Sequence, residues 1–175
     1  MRQSSPVRWL TDDRWRALPI LERAIILAHV YTDILSVREV GFNAGKHVEM
    51  FLRSVRLGKG FPWCAAFVTY VLIEAGWDTL PKNPASVCSW FEMGEDHGAI
   101  VTDPSNLRRG DLIGWCNRRR WRGHMGVFVS YDAKHNTITS LEGNTNQVGS
   151  REGDGCYRKV RKWRGKLRGI ALSQF

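Results

Sequence analysis

No run of about 18 apolar residues occurs in this 175-residue chain, so no transmembrane helix is expected. The opening segment, Met1 to Trp9 followed by Asp12, Asp13 and Arg14, has no apolar centre, so no standard secretory signal is expected either. CxxC pairs are absent: the four cysteines, Cys64, Cys88, Cys116 and Cys156, stand far apart. That spacing supports neither a zinc ribbon nor a thioredoxin-type motif. Without a secretory signal, a disulfide framework is not expected and at least one thiol should be free. There is no internal repeat and no low-complexity linker. Acidic residues are the scarcer charge, 17 against 26 basic ones, for a formal net charge of +9. Such a chain is drawn to polyanions, whether nucleic acid, anionic membrane surfaces or anionic wall polymers, and charge alone does not choose among them.

What is present is ordinary for a globular domain: 43% hydrophobic and 25% charged residues. The length fits one domain able to bury roughly 70% of its unfolded surface. The first half reads helical. Trp15, Leu18, Leu21, Ile25, Ala28 and Ile34 recur at helical spacing over 12–36, where Pro19 splits the stretch or opens its main helix. A second helix is predicted from Asn43, as N-cap, to near Gly58. A third runs from Trp63 to Ala75, with Gly76 as its stop, and a short fourth covers Ser86 to Met93. After Gly110 the pattern turns to strands: 111–116, 125–131, 137–144, 156–163 and 169–175. Helices followed by about five strands predict an α+β fold.

The sharpest segment for chemistry is Gly60-Phe61-Pro62-Trp63-Cys64-Ala65-Ala66-Phe67-Val68. It sets a cysteine in the first turn of an apolar helix, where unpaired N–H groups and the helix dipole favour a thiolate and can hold an oxyanion. A buried structural cysteine is the plainer alternative. A thiol nucleophile needs a base, and Gly123-His124-Met125-Gly126 places a histidine between glycines at the start of a strand. Leu141-Glu142-Gly143-Asn144-Thr145 closes the next strand. In an antiparallel hairpin, pairing Ser130 with Ile138 sets His124 opposite Asn144, and pairing Phe128 with Ile138 sets it opposite Glu142. Either register brings a polar acceptor to the imidazole, and a bulge would undo both. The plainer alternatives are a turn histidine and strand-end turn formers.

The order Cys, then Gly-His, then Glu-Gly-Asn-Thr resembles the CHAP-domain amidases and peptidases, which belong with the NlpC/P60 papain-like enzymes. Cys64 and His124 are 60 positions apart, and His124 and Glu142 are 18 apart. Pro62 to Val68 looks like the family's nucleophile helix, and Arg109-Gly110-Asp111-Leu112-Ile113 like its strand before the histidine. The segment from Asn43-Ala44-Gly45 to Phe51-Leu52 looks like a helix preceding the cysteine in one branch of the family. The resemblance spans about residues 38–145. It implies a papain-like fold with N-terminal helices packed on an antiparallel sheet. Residues 37–175 would form the catalytic domain, and 1–36 a helical extension with no counterpart in the family core. It implies Cys64 as nucleophile, His124 as base and then acid, and Glu142 as orienting group, with Asn144 assisting or sharing that task. The implied reaction is hydrolysis of a peptidoglycan amide, either muramoyl–L-alanine or a stem-peptide or cross-bridge bond. Some members bind calcium in an acidic loop before the cysteine. Here that loop is Val55-Arg56-Leu57-Gly58-Lys59-Gly60, without a carboxylate, so neither metal nor cofactor is expected.

Trp63, Trp121 and Arg122 are the candidate substrate contacts. The run Arg118-Arg119-Arg120-Trp121-Arg122 beside His124 reads as a receiver of anions or as a solvated loop. From Arg158 to Arg168, seven of eleven residues are basic and none is acidic. A solvated strand-turn-strand face is preferred there to a nucleic-acid site, and contact with an anionic wall polymer explains the charge equally well. Cys88, Cys116 and Cys156 read as structural thiols. Peptidoglycan is the expected partner. The chain is expected to be cytoplasmic as made and to reach the wall by phage lysis or a specialised secretion system. The rival readings are a basic nucleic-acid-binding module, a wall binder that does not cut, and the same chemistry on a non-wall amide.

Overall fold

The structure, a computed structural model, describes residues 12–120, 122–148 and 153–175. The opening segment read for a secretory signal and the candidate contact Trp121 lie outside the described residues. Five α-helices precede a six-stranded sheet: α1 Asp12–Ala17, α2 Ile20–His29, α3 Lys46–Ser54, α4 Cys64–Ala75 and α5 Val87–Asp96, then β1 Ile100–Val101, β2 Leu112–Asn117, β3 Arg122–Asp132, β4 Thr137–Thr145, β5 Gly155–Lys162 and β6 Arg168–Ile170. The strands lie in the order β1-β6-β2-β3-β4-β5, and every neighbouring pair is antiparallel. This is the expected α+β fold with one strand more. The two-residue β1 is too short to show a period in sequence and exists through its pairing with β6.

The periodic stretch 12–36 divides at Pro19, which caps α2, and ends in a π-helical turn, Val30–Ile34. α2 buries Ala24, Ile25, Leu27 and Ala28. α4 is apolar on nearly every side and runs through the core, as such a composition demands. It stops at Gly76, whose φ of 94° is the left-handed cap the sequence suggested. The helix expected from Asn43 starts later, at Lys46, and ends at Ser54. Asn43 sits at φ 46° with its N–H on Glu39 Oε2 (3.0 Å), so it shapes the turn before α3 rather than capping the helix. The C-terminal segment predicted as strand over 169–175 pairs only to Ile170 and finishes in a 3-10 turn.

The sheet is buried on both faces. Leu112, Met125, Val127 and Leu141 join the helices in the main core. Ile113, Phe128 and Ile138 meet Leu107, Trp163 and Leu167 in a smaller cluster. The Gly-Asp-Leu-Ile motif has a structural task here. Asp111 is fully buried, its Oδ2 accepts from Arg108 N–H (2.7 Å) and its Oδ1 from Leu172 N–H (2.9 Å), which pins the C-terminus to β2.

Neither expected hairpin register occurs as stated, because Ile138 pairs with Tyr131. A bulge falls between Phe128 and Ser130, where one extra residue breaks the count. Beyond it Phe128 pairs with Ser140 and Val127 with Leu141, the count that runs His124 toward Asn144.

The cysteines also depart from expectation. Cys88 and Cys116 are not thiols but a disulfide, with Cα atoms 5.3 Å apart, that ties α5 to β2. Their separation of 28 positions gave no sign of this, since only the docking of α5 on β2 brings them together. Cys64 and Cys156 are free and buried.

Candidate active site

Cys64 is the first residue of α4, and no side chain caps that helix. The first-turn N–H groups, which have no intrahelical acceptor, therefore stand at the Cys64 end of the helix and favour an anion there. Cys64 is 5% exposed and opens onto a cleft of about 340 Å³ whose lining includes Phe61, Pro62, Ser86, Cys88, Arg122 and Gly123. Arg122 is among the residues that line this cleft. Trp63 is not, and the expectation that it lines the groove is corrected. It is fully buried, its ring stacks on Phe51 at 5.7 Å, and its Nε1–H donates to Glu39 Oε1 at 2.7 Å. Trp63 is here a core anchor for the turn into α4.

His124 and Glu142 meet in the interior, 3% and 0% exposed. Glu142 Oε2 accepts from His124 Nε2 at 2.8 Å. Gly126 makes room for this: a Cβ there would stand 2.6 Å from Glu142 Cγ. Glu142 is heavily supported. Ser140 Oγ donates to Oε1 (2.6 Å), and Arg161 grips both oxygens, Nε to Oε1 at 2.7 Å and Nη2 to Oε2 at 2.6 Å. Burial pushes the Glu142 carboxyl up, but Arg161 and His124 outweigh it and hold the group at about 2. Burial likewise pushes the His124 imidazole down, and the Cys64 thiol and Glu142 more than offset that, raising it to about 9. The ring's other nitrogen, Nδ1, closes no hydrogen bond at rest. Cys64 and Glu142 both favour the charged ring. With Nε2 committed to the carboxylate, Nδ1 is the atom left to exchange a proton with sulfur or substrate.

Glu142, then, is the residue bonded to His124. Asn144, expected to assist or share that task, turns elsewhere. In the amide orientation that satisfies both neighbours, its oxygen accepts from Trp63 N–H at 3.1 Å and its nitrogen donates to the Gly153 carbonyl at 3.3 Å. It holds the residue before Cys64, and its φ of 53° suits asparagine. Gly143 lets the strand press on α4, since a Cβ there would lie 2.7 Å from both Phe67 Cβ and Trp63 Cζ3. Arg161, Ser140 and Glu39 escaped the sequence reading. Arg161 lay inside a run read as a solvated basic face. Its one signal was that a carboxylate buried beside a histidine calls for a cation. Among the described residues no three His, Cys, Asp or Glu side chains gather as a metal-holding group.

The family model of the CHAP domain matches residues 56–144, just over half of the chain, from the turn before the nucleophile helix to Asn144. The chain belongs to the CHAP domain family. CHAP domains are cysteine amidases and peptidases, so the chemistry is hydrolytic. Comparison with curated proteins and with solved structures found no match. In this CHAP domain, no helix among the described residues is long and apolar enough to cross a membrane.

Proposed function

We propose that this CHAP domain hydrolyses an amide bond of peptidoglycan through a thioester on Cys64. The observation that carries the reading is the hydrogen-bonded chain Arg161–Glu142–His124, which leaves Nδ1 as the proton-exchanging atom coupled to the Cys64 thiol. Near neutral pH His124 is an imidazolium, because its value is raised to about 9. The Cys64 thiolate attacks the amide carbon, and the oxyanion is held by the backbone N–H of Cys64 at the helix start. Nδ1–H then protonates the leaving nitrogen, the C–N bond breaks, and the thioester and a neutral imidazole remain. Nδ1 next takes a proton from water, the hydroxide equivalent attacks the thioester, and thiolate leaves as the acid is released. Glu142 keeps Nε2 occupied throughout and stabilises each imidazolium. Arg122, at the cleft, would contact the substrate.

The test is digestion of purified sacculi of several wall chemotypes, with mass spectrometry of the soluble products, for the wild type and Cys64→Ala. Fragments dependent on Cys64 are expected, and their masses name the bond. No fragments from any wall, with a thiol that reacts rapidly with iodoacetamide, would move the chemistry to a non-wall amide. No fragments and an inert thiol would overturn the catalytic reading.

A further inference from the structure

The two basic runs, separate in sequence, converge in the fold. A cavity of about 670 Å³ is lined by Arg118, Arg119, Arg120, Lys166 and Arg168, with Glu95 as its one carboxylate. A second cavity of about 450 Å³ is lined by Arg161, Lys162, Arg164 and Lys166 together with His124. Lys166 borders both, so the two cavities adjoin, and eight basic residues line the trough they make together against a single acid. Part of this charge is already engaged: Arg118 pairs with Glu95, Arg161 with Glu142, and Arg168 Nη1 donates to the Gly165 and Leu167 carbonyls. Arg119, Arg120, Arg164 and Lys166 pair with no carboxylate among the described residues. Four exposed cations without a carboxylate partner around one trough make an electropositive surface that attracts anions. The trough also has a firm wall beside the cleft, because Cys116 lines its first cavity and Cys88, the other half of the disulfide, lines the Cys64 cleft.

We infer that this trough binds a phosphodiester-linked polyanion of the cell wall, a polyol phosphate polymer, and so holds the enzyme beside the amide it cuts. The occupant rests on the proposed wall substrate. Six of the eight cations are arginines, whose planar forks suit phosphate oxygens. Two joined cavities call for a ligand that repeats its charge rather than a single ion. Single-stranded nucleic acid repeats its charge too, but its binding depends on exposed aromatic platforms. The described aromatic rings of the trough, Phe91 and Trp115, are buried and half-buried.

Binding of poly(glycerol phosphate) of defined length to the full chain carrying Cys64→Ala tests this across a series of salt concentrations. A triple variant, Arg119→Ser, Arg120→Ser and Lys166→Ser, should bind at least about tenfold more weakly, with a log–log salt slope shallower by about two, as three lost phosphate contacts require. A control with the same charge loss on exposed residues outside the trough, Arg16→Ser, Lys82→Ser and Lys134→Ser, should keep both affinity and slope. Equal binding by the trough variant, or equal loss in the control, would overturn the site. Tighter binding of oligothymidylate with the same number of phosphates, lost in the trough variant, would overturn the occupant. Because binding is read in a chain that cannot cut, its failure leaves the hydrolytic reading standing. Failure of wall digestion with binding intact would instead count against hydrolysis alone.

Discussion

Replacing Arg161 with Met keeps an unbranched apolar stem and removes the guanidinium that grips both oxygens of Glu142. Removing one member of a buried ion pair costs about 3–5 kcal/mol, because the other charge stays buried. Arg161 keeps 26% of its side-chain surface in solvent while Glu142 has none. Water therefore recovers part of the loss, and a destabilisation of about 2–4 kcal/mol at pH 7 follows. The perturbation also carries a pH signature. Glu142 sits at about 2 in the folded chain against its ordinary 4.5, because burial is outweighed by Arg161 and His124. A group lowered by folding stabilises above its unfolded value, and that stability disappears as pH falls from about 4.5 through about 2. Without Arg161, burial is opposed by His124 and the Ser140 hydrogen bond, so the folded value climbs and acid destabilisation begins at higher pH. Urea denaturation followed by tryptophan fluorescence from pH 3 to 8 would measure both effects. The acid limb should move up by about one pH unit or more, and sacculus turnover should fall by about tenfold or more. An unchanged urea midpoint at pH 7, with an acid limb parallel to the wild type, would refute the role given to Arg161.

His124 supplies the opposite limb. Its folded value, about 9, lies above the ordinary 6.5, so its stabilisation is complete below 6.5 and lost as pH rises through 9. That interval corresponds to about 3 kcal/mol, and His124→Gln should flatten the decline in urea stability between pH 6.5 and 9; an identical decline would sink the assignment. Gly143→Ala would drive a methyl against Phe67 and Trp63, costing about 1–3 kcal/mol and lowering kcat by displacing α4. A variant with wild-type melting temperature and turnover would show that β4 and α4 are less tightly apposed. Reducing Cys88–Cys116 opens a closure of 28 residues, for a loss of about 3–4 kcal/mol. Dithiothreitol should lower the thermal midpoint of the wild type and leave that of a Cys88→Ala, Cys116→Ala variant unmoved. Insensitivity of both proteins would contradict the bond.

Local chemistry was legible in the sequence. Helix α4 and its glycine stop follow from an apolar run ending at Gly76, and the paired strands β3 and β4 follow from alternation around a turn-rich break. The pairing of His124 with Glu142 and the place of Cys64 at a helix start were legible because each carries a local mark: flanking glycines, a strand-end acid and an apolar run after a Gly-Pro loop. Trp63 was misplaced because an aromatic beside a nucleophile reads the same whether its ring faces a cleft or the core. Only the packing of α3 and α4, which stacks it on Phe51, decided the matter.

Contacts between distant segments were left to the tertiary structure. The bulge near Val129 changes a count that alternation cannot reveal, so the choice between Glu142 and Asn144 waited for side chains in place. The disulfide waited for α5 to lie on β2. Arg161 and the basic trough depended on β5 and β6 returning beside β4 and β2, which turns what reads as one exposed charge run into a clamp on the buried Glu142 and half of a trough wall. Helix and strand periods, caps and turns depend on neighbours a few residues away, and the sequence therefore determined them by itself. The energy of a buried charge depends on which remote group comes to face it, and only the folded chain decides that.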